Sequence, residues 1–447
     1  MDLHFHNSLT RRRELFVPLD PANVRVYVCG PTVYDLAHLG NARPVVVFDT
    51  LVRLLRRLFP RVTYVRNITD VEDKIIARAA ETGEAIAHLT ARTAREFHED
   101  MAALGALPPD IEPRATLHIA EMITLIERLT AAGNAYLAEG HVLFSVASFA
   151  DYGRLSGRSR EDMIAGARVE IARYKRDPAD FVLWKPSDPD QPGWESPWGR
   201  GRPGWHIECS AMSWRHLGTD FDIHGGGSDL LFPHHENEIA QSCCAFPGTH
   251  FARVWLHNGM LRVNGEKMAK SLGNFFTVRD VLAAAPGEAV RLLLLKTHYR
   301  SELDFSFAAL ADARKELDRF YRALARHPAL PEAPIPEPVL SALADDLNTP
   351  GAIAALHGLA DAALGGDARA AAGLAAAGSV LGLLGADPGA WFHSGADSGA
   401  IEAAIAERRA ARAARDFARA DAIRADLAAR GILLEDGPGG TTWRRAS

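Results

Sequence analysis

A strand, a helix and a second strand follow one another within the first 70 residues, and that order leaves the chain few folds to choose from. Residues 23–30, NVRVYVCG, alternate apolar and polar side chains. Residues 45–59, VVVFDTLVRLLRRLF, carry an apolar stripe at helical spacing, and 62–70, VTYVRNITD, read as a strand again. Two strands joined through a helix lie parallel, and a sheet built from such units takes ligands at the carboxyl ends of its strands. Cys29 and Thr69-Asp70 fall at those ends. The rhythm returns at FDIH (221–224), followed by GGGSD and another helical stretch, so the sheet is split in sequence. In between, 116–199 hold a helix over about 116–133 and a polar stretch with Pro and Trp, which is the pattern of an insertion. The expected class is α/β: a parallel sheet with an insertion, then an α-helical C-terminal half.

At 447 residues the chain is too long for one core, and two to four domains are expected. Beyond residue 306 or so it turns helical and alanine-rich, broken by HPALPEAPIPEP (327–338), whose five prolines suit a linker or loop and not a helix. A second helical block covers 339–386. GADPGAWFHSGADSGA (385–400) reads as a joint before a last helix and a tail, DGPGGTTWRR (436–445). No stretch reaches about 18 uninterrupted apolar residues and MDLHFHNSLTRRREL lacks a signal-like apolar run, so a cytoplasmic location and no membrane partner are expected. A net charge of −6 excludes indiscriminate coating of nucleic acid, yet 401–447 hold nine Arg against seven acidic residues, a local patch that a nucleic acid could meet. Four cysteines are no disulfide framework.

LLFPHHENEIAQS (230–242) crowds His234, His235, Glu236 and Glu238 into what reads as the first turns of a helix. His234 and Glu238, four apart, share a face and can reach one ion, with His235 and Glu236 expected to point elsewhere. Cys209 in GWHIECS (204–210) and Cys29 complete a set of two thiols, an imidazole and a carboxylate, which suits tetrahedral zinc. The spacing H-E-N-E is not the H-E-x-x-H of a metalloprotease, and Cys243 and Cys244 read as core thiols. HLGN (38–41) precedes a helix expected to begin near Ala42, so the N–H groups there can receive a phosphate. Far downstream, GEKMAKSLGNFF (265–276) places Lys267 and Lys270 three apart in a glycine-flanked loop able to neutralise a leaving polyphosphate.

PTVYDLAHLGN and KMAKS resemble the two signature motifs of class I aminoacyl-tRNA synthetases. More narrowly, YVCGPTVYD (27–35), NITDVEDKI (67–75), GRPGWHIECSAM (201–212), FDIHGGGSDLLFPHHENEIAQ (221–241) and EDGPGGTTWRR (435–445) resemble the cysteinyl-tRNA synthetase family from one end of the chain to the other. The resemblance implies one Zn2+ per chain on Cys29, Cys209, His234 and Glu238, receiving the substrate thiolate. Catalysis is implied for His38, Asn41, Lys267 and Lys270, and ATP binding, with Mg2+, for His38, Gly40, Asn41 and Lys270. Thr69, Trp205 and His224 would line the amino-acid pocket. Substrates would be ATP, L-cysteine and tRNA(Cys), and the enzyme a monomer. The implied domains are a Rossmann-type catalytic domain in two pieces (1–115 and 200–245), an insertion (116–199), a linking region with the lysine loop (246–310), a helical bundle (311–390) and an anticodon-binding domain (396–447), with Trp443 and Arg444 as candidate contacts.

Two positions depart from the family pattern. Asn41 stands for a second histidine and can still donate to a phosphate or ribose; Ala269 stands for a serine, a loss of one neutral hydrogen bond. The nearest rival is a ligase that activates cysteine alike but hands it to a glucosaminyl-inositol amine. The arginine-bearing C-terminal helix and GTTWRR tail speak against it. A non-catalytic RNA-binding paralogue is the other alternative, and the intact His38, Lys270 and four metal-ligand candidates speak against that.

Overall fold

The computed structural model describes residues 1–158, 173–269, 272–393, 398–437 and 440–445. Lys270, expected in the catalytic set, lies outside them, as does the side chain of Arg444. The chain divides into two compact units, Met1–Ser306 with Leu340–Ala352, and Phe307–Val339 with Ile353–Ser447.

In the first unit a short hairpin, β1 (His4–Asn7) and β2 (Arg12–Leu15), precedes β3 (Val24–Val28), α1 (Leu39–Leu58) and β4 (Val62–Arg66). Helices α2 (Asp73–Thr82), α3 (Ile86–Ala103) and α4 (Ile119–Ala131) follow. An antiparallel sheet of β5 (Ala135–Ala138), β6 (His141–Phe144), β7 (Phe181–Pro186) and β8 (Gly201–Pro203) comes next. Then α5 (Trp205–Leu217), β9 (Asp220–Gly227), α6 (Glu236–Ala245) and β10 (Phe251–Asn258) restore the α/β alternation. The main sheet has the order β10-β9-β3-β4 with every pairing parallel, so it extends past residue 245 into β10. Successive connections leave β3 on one side and β9 on the other, which opens a crevice at their carboxyl ends. Among the described residues the insertion shares the core of the parallel sheet: Phe144, Trp184 and Met122 pack in one cluster with Tyr27, Phe221 and Trp255.

Helix α1 starts at Leu39, three residues before the expected Ala42, because His38 and Asn41 cap it reciprocally. The Gly40 N–H donates to His38 Nδ1 (3.0 Å), and the His38 N–H donates to Asn41 Oδ1 (3.1 Å). Two orphan donors of the first turn are thereby satisfied. A third sheet, β12 (Glu266–Lys267), β11 (Leu261–Val263) and β13 (Leu303–Phe305), carries the lysine loop, with α7 (Val278–Leu282) and α8 (Gly287–Leu295) between β12 and β13.

The second unit is helical, with α9 (Phe307–Ala325), part of α10 (Glu337–Ala344) and of α11 (Thr349–Leu364), α12 (Ala368–Leu381) and α13 (Pro388–His393). Pro338 sits inside α10, contrary to the expectation that all five prolines lie outside helices; it occupies the first turn, where its missing N–H has no intrahelical acceptor to lose. The C-terminal end also differs from one helix and a tail. Helices α14 (Ser398–Ala413) and α15 (Phe417–Ala429) are separated at Arg415, which takes φ 59°, and Asp416 caps the second. Residues Ile432–Gly437 and Gly440–Arg445 then pair as an antiparallel hairpin, β14 and β15. A small core of Ile401, Ile405, Ile423, Leu427, Leu434 and Trp443 closes among these elements. Among the described residues no helix is long and apolar enough to cross a membrane.

Candidate functional site

Three elements converge where the sheet opens. Cys29 follows the last residue of β3, Cys209 lies in the second turn of α5, and His234 and Glu238 come from the turn Leu231–His235 and the start of α6. Their donor atoms lie within 4.8 Å of one another. The Cys29 and Cys209 sulfurs are 3.7 Å apart, Cys29 Sγ is 3.5 Å from Glu238 Oε1, and that oxygen is 3.2 Å from His234 Nε2. A tetrahedral ion with zinc's bond lengths holds its donors about 3.8 Å (sulfur to sulfur), about 3.5 Å (sulfur to oxygen) and about 3.3 Å (nitrogen to oxygen) apart. Three of the six edges thus match zinc, and the other three lie within 4.8 Å.

A second grouping, Cys29, His224, His235 and Glu238, shares two of these residues. It fits less well. His224 Nε2 is 2.9 Å from Glu238 Oε2, the distance of a hydrogen bond, and His235 Nε2 is 3.9 Å from Glu238 Oε1. His224 therefore orients the carboxylate through its second oxygen, as outer partners of metal ligands do. His235 corrects the expectation that it points elsewhere: its Nε2 is 3.3 Å from Cys29 Sγ, and a chain runs on from its Nδ1 to His257 (2.8 Å) and from His257 to Ser8 Oγ (2.8 Å). Glu236 does point elsewhere, accepting the Ser156 N–H at 2.8 Å.

Electrostatics favours a cation here. Burial, then the neighbouring thiol and Glu238, push the Cys29 thiol up; for Cys209 the hydrogen bond with Cys29 lowers the pKa, but burial and the two carboxylates outweigh it. A divalent ion reverses that balance by stabilising the thiolates. Burial also holds His234 down to about 3 and His206 down to about 4, so both rings are neutral near pH 7. The two Nδ1 atoms are 3.0 Å apart, which leaves His234 Nε2 with its lone pair towards Glu238 when His234 Nδ1 is the donor.

Gly30 has no room for a side chain: a Cβ there would lie 1.6 Å from the Asn67 carbonyl oxygen, and its N–H donates to Asn67 Oδ1 at 2.9 Å. Gly30→Ala is expected to destabilise the protein by about 2 kcal/mol or more, read as a lowered Tm. An unchanged Tm would show that the 29–31 turn can move aside.

A cavity of about 480 Å³ begins at Cys29 and continues past His38, Gly40 and Asn41 to Lys267. With Gly40 donating to its Nδ1, the neutral His38 ring carries its proton on Nε2, the tautomer that donates to a phosphate oxygen. Asn41 has its oxygen engaged in the cap, so its amide nitrogen remains as donor. Ala269 is held without a serine hydroxyl: its N–H donates to Asn274 Oδ1 (2.8 Å), and Asn274 Nδ2 donates to the Lys267 carbonyl (3.1 Å). Trp205 lines the cavity, 36% exposed, with its ring stacked 4.3 Å from His234. Thr69 and His224 lie deeper and are buried. The Thr69 hydroxyl is 3.0 Å from Glu208 Oε2, whose acid burial pushes well above the usual carboxylate range.

Residues 15–315 match the family model of the class I (C) tRNA synthetase catalytic domain, and 397–444 match that of the cysteinyl-tRNA ligase anticodon binding domain. The chain is 71% identical to a cysteine-tRNA ligase of Acidiphilium cryptum over 449 aligned residues, covering all of both chains. It is 66% identical to one of Granulibacter bethesdensis, covering 99% of this chain and 95% of that one. The chain belongs to the cysteine-tRNA ligase family. Similar folds at low identity include methionyl-tRNA synthetase of Mycobacterium tuberculosis with methionyl-adenylate (TM-score 0.58, 17% identity, 80% of this chain and 89% of that one). Another is the LeuRS-tRNA-LeuAMS ternary complex of Agrobacterium radiobacter (TM-score 0.60, 12% identity, 86% of each).

For a cysteine-tRNA ligase the residues that sequence reasoning passed over are informative. Glu208 sits beside a ligand candidate in GWHIECS, so an acid between apolar neighbours was its available signal. His257 and Ser8 had none, because only the β9–β10 pairing and the N-terminal hairpin bring them to His235.

Proposed function

We propose that this chain activates L-cysteine with Mg-ATP and passes the cysteinyl group to tRNA(Cys), with one Zn2+ held by Cys29, Cys209, His234 and Glu238. The observation that carries the reading is the match of the donor spacings to tetrahedral zinc at one end of the cavity that His38 and Lys267 line. In the first step a cysteine carboxylate oxygen attacks the α-phosphorus and pyrophosphate leaves. In the second, a terminal ribose hydroxyl attacks the carbonyl carbon and AMP leaves. No protein nucleophile is required, and the residues act by positioning and charge stabilisation. His38 and the Asn41 amide donate to phosphate oxygens at the start of α1, with Gly40 allowing close approach; Lys267 and Lys270 neutralise the departing pyrophosphate. Trp205 closes the amino-acid end, while Thr69 and His224 are held from behind by Glu208 and Glu238.

Zinc supplies affinity for sulfur over oxygen. An apolar pocket separates serine from cysteine by only about 10²-fold, so a metal that takes a thiolate gives the discrimination that shape cannot. The expected result is one zinc per chain by elemental analysis together with cysteine-dependent ATP–pyrophosphate exchange; a zinc-free protein with full exchange would sink the reading.

The acceptor is assigned to tRNA over a glucosaminyl-inositol amine because the chain carries the anticodon-domain match at 397–444. Within it, Arg408 braces Asp436 (2.8 Å) and Trp443 Nε1 donates to Glu402 (2.8 Å), which ties the hairpin to α14. We assign the domain boundaries set out from the sequence, with the catalytic sheet continued through β10 to Asn258, a cytoplasmic location and a monomer to the same reading. Deleting 396–447 removes a core that closes within itself, so exchange should persist while tRNA charging falls by about 10²-fold or more, the scale of a few kcal/mol of remote binding energy. Charging at the full-length rate would place tRNA selection elsewhere in the chain.

A further inference from the structure

We propose that Arg43 is a positioning residue for cysteine activation, a clamp that fixes the sheet presenting Lys267 against the start of α1. The proposal rests on the reading of the lysine loop given above and adds to it a residue that touches no substrate. Arg43 is 1% exposed and does not line the cavity, although it follows Asn41 by only two residues. No ion pair holds it among the described residues. Its Nη1 donates to the carbonyls of Gly259 (2.6 Å) and Met260 (2.9 Å), and its Nη2 to that of Ser301 (2.6 Å), with His298 at 3.4 Å. A buried cation answered only by carbonyl dipoles is costly to place. Burial accordingly lowers its pKa to about 10, which still leaves it charged at neutral pH.

What those carbonyls belong to gives the clamp its consequence. Gly259 and Met260 join β10 to β11, and His298 and Ser301 lie in the turn between α8 and β13. Strand β11 pairs in parallel with β13 and antiparallel with β12, and β12 ends at Lys267. The two segments touch backbone to backbone, since a Cβ on Gly259 would lie 2.3 Å from the Ser301 carbonyl oxygen. At its far end the lysine loop returns to the same helix start: Leu39 N–H donates to the Phe276 carbonyl (3.3 Å) and Val278 N–H to that of Ala37 (2.8 Å). The loop is thus tethered at both ends to the residues that begin α1, directly at Phe276 and through Arg43 at Lys267. Displacing such a lysine by about 1 Å from its productive position beside the departing pyrophosphate is enough to slow the step by about 10²-fold.

The test uses the full-length, zinc-loaded enzyme. Arg43→Lys keeps the charge but loses the planar fork that reaches both segments. It should lower kcat for cysteine-dependent ATP–pyrophosphate exchange by about 10- to 10²-fold while zinc content and the KM for cysteine stay unchanged. Combined with Lys267→Ala, the loss should not exceed that of the more damaging single change, because both act through one group. Hydrogen exchange should quicken in 261–269 and not in 205–245. If Arg43→Lys does not fold, Gly259→Ala displaces the same strand junction with Arg43 intact and should give the same split between kcat and KM. Multiplicative losses in the double variant, or full kcat despite faster exchange in 261–269, would overturn the proposal. If Lys267→Ala alone leaves activation intact, the lysine reading fails instead, and unchanged protection of 261–269 in Arg43→Lys would then reject the clamp separately.

Discussion

Cys209→Ser is expected to lower cysteine-dependent ATP–pyrophosphate exchange by at least about 10²-fold and to empty the zinc site. Structural zinc sites contribute about 10–16 kcal/mol, so one ligand of four carries roughly 3 kcal/mol, which is a factor of at least about 10². A serine hydroxyl does not deprotonate to replace the thiolate, and the loss of the ion would leave Cys29 and Glu238 facing each other at 3.5 Å in a buried spot. ATP affinity should hardly change, because the start of α1 and the lysine loop are built from other residues. Zinc content and isotope exchange read the two effects separately. Full zinc occupancy in Cys209→Ser would remove this cysteine from the ligand set.

Lys270→Ala should slow cysteine activation by about 10²–10³-fold, the loss typical when one preorganised donor to developing charge is removed. Lys267, three residues earlier, lines the same cavity as His38, which is why the loop is assigned to the pyrophosphate end. The effect should fall on kcat more than on the KM for ATP, since the charge it meets develops as the bond to the leaving group breaks. Ala269→Ser, by contrast, should change the rate by no more than about tenfold, because Asn274 already braces that backbone. Near-normal activation by Lys270→Ala would take the loop out of the chemistry.

The parallel sheet was legible because its strands and helix alternate with clean periods, and the four zinc-ligand candidates because thiols, imidazole and carboxylate form a recognisable donor set. His235 was not legible. A helical wheel separates it from His234, but the Leu231–His235 turn is wider than an α-helix, with the His235 N–H bonded five residues back to the Leu230 carbonyl at 2.9 Å, so both rings face the cluster. The partner of the Thr69 hydroxyl was not legible either, since the fold brings Glu208 to it from 139 residues away. Arg43 looked like any arginine near a helix start, and its role depends on carbonyls more than 200 residues downstream. DGPGGTTWRR was read only as a tail, whereas it supplies one strand of the β14–β15 hairpin, whose short strands close over Trp443.

Replacing zinc by Co2+ and titrating the full-length protein with L-cysteine, without ATP, tests most directly that the four-residue group selects the substrate by its sulfur. Cobalt keeps the ligand set while making thiolate coordination visible as charge-transfer absorption. The expected result is a saturable rise in that absorption with cysteine and none with serine at the same concentration. A spectrum indifferent to cysteine, or one that serine changes equally, would contradict zinc as the selector of the thiol.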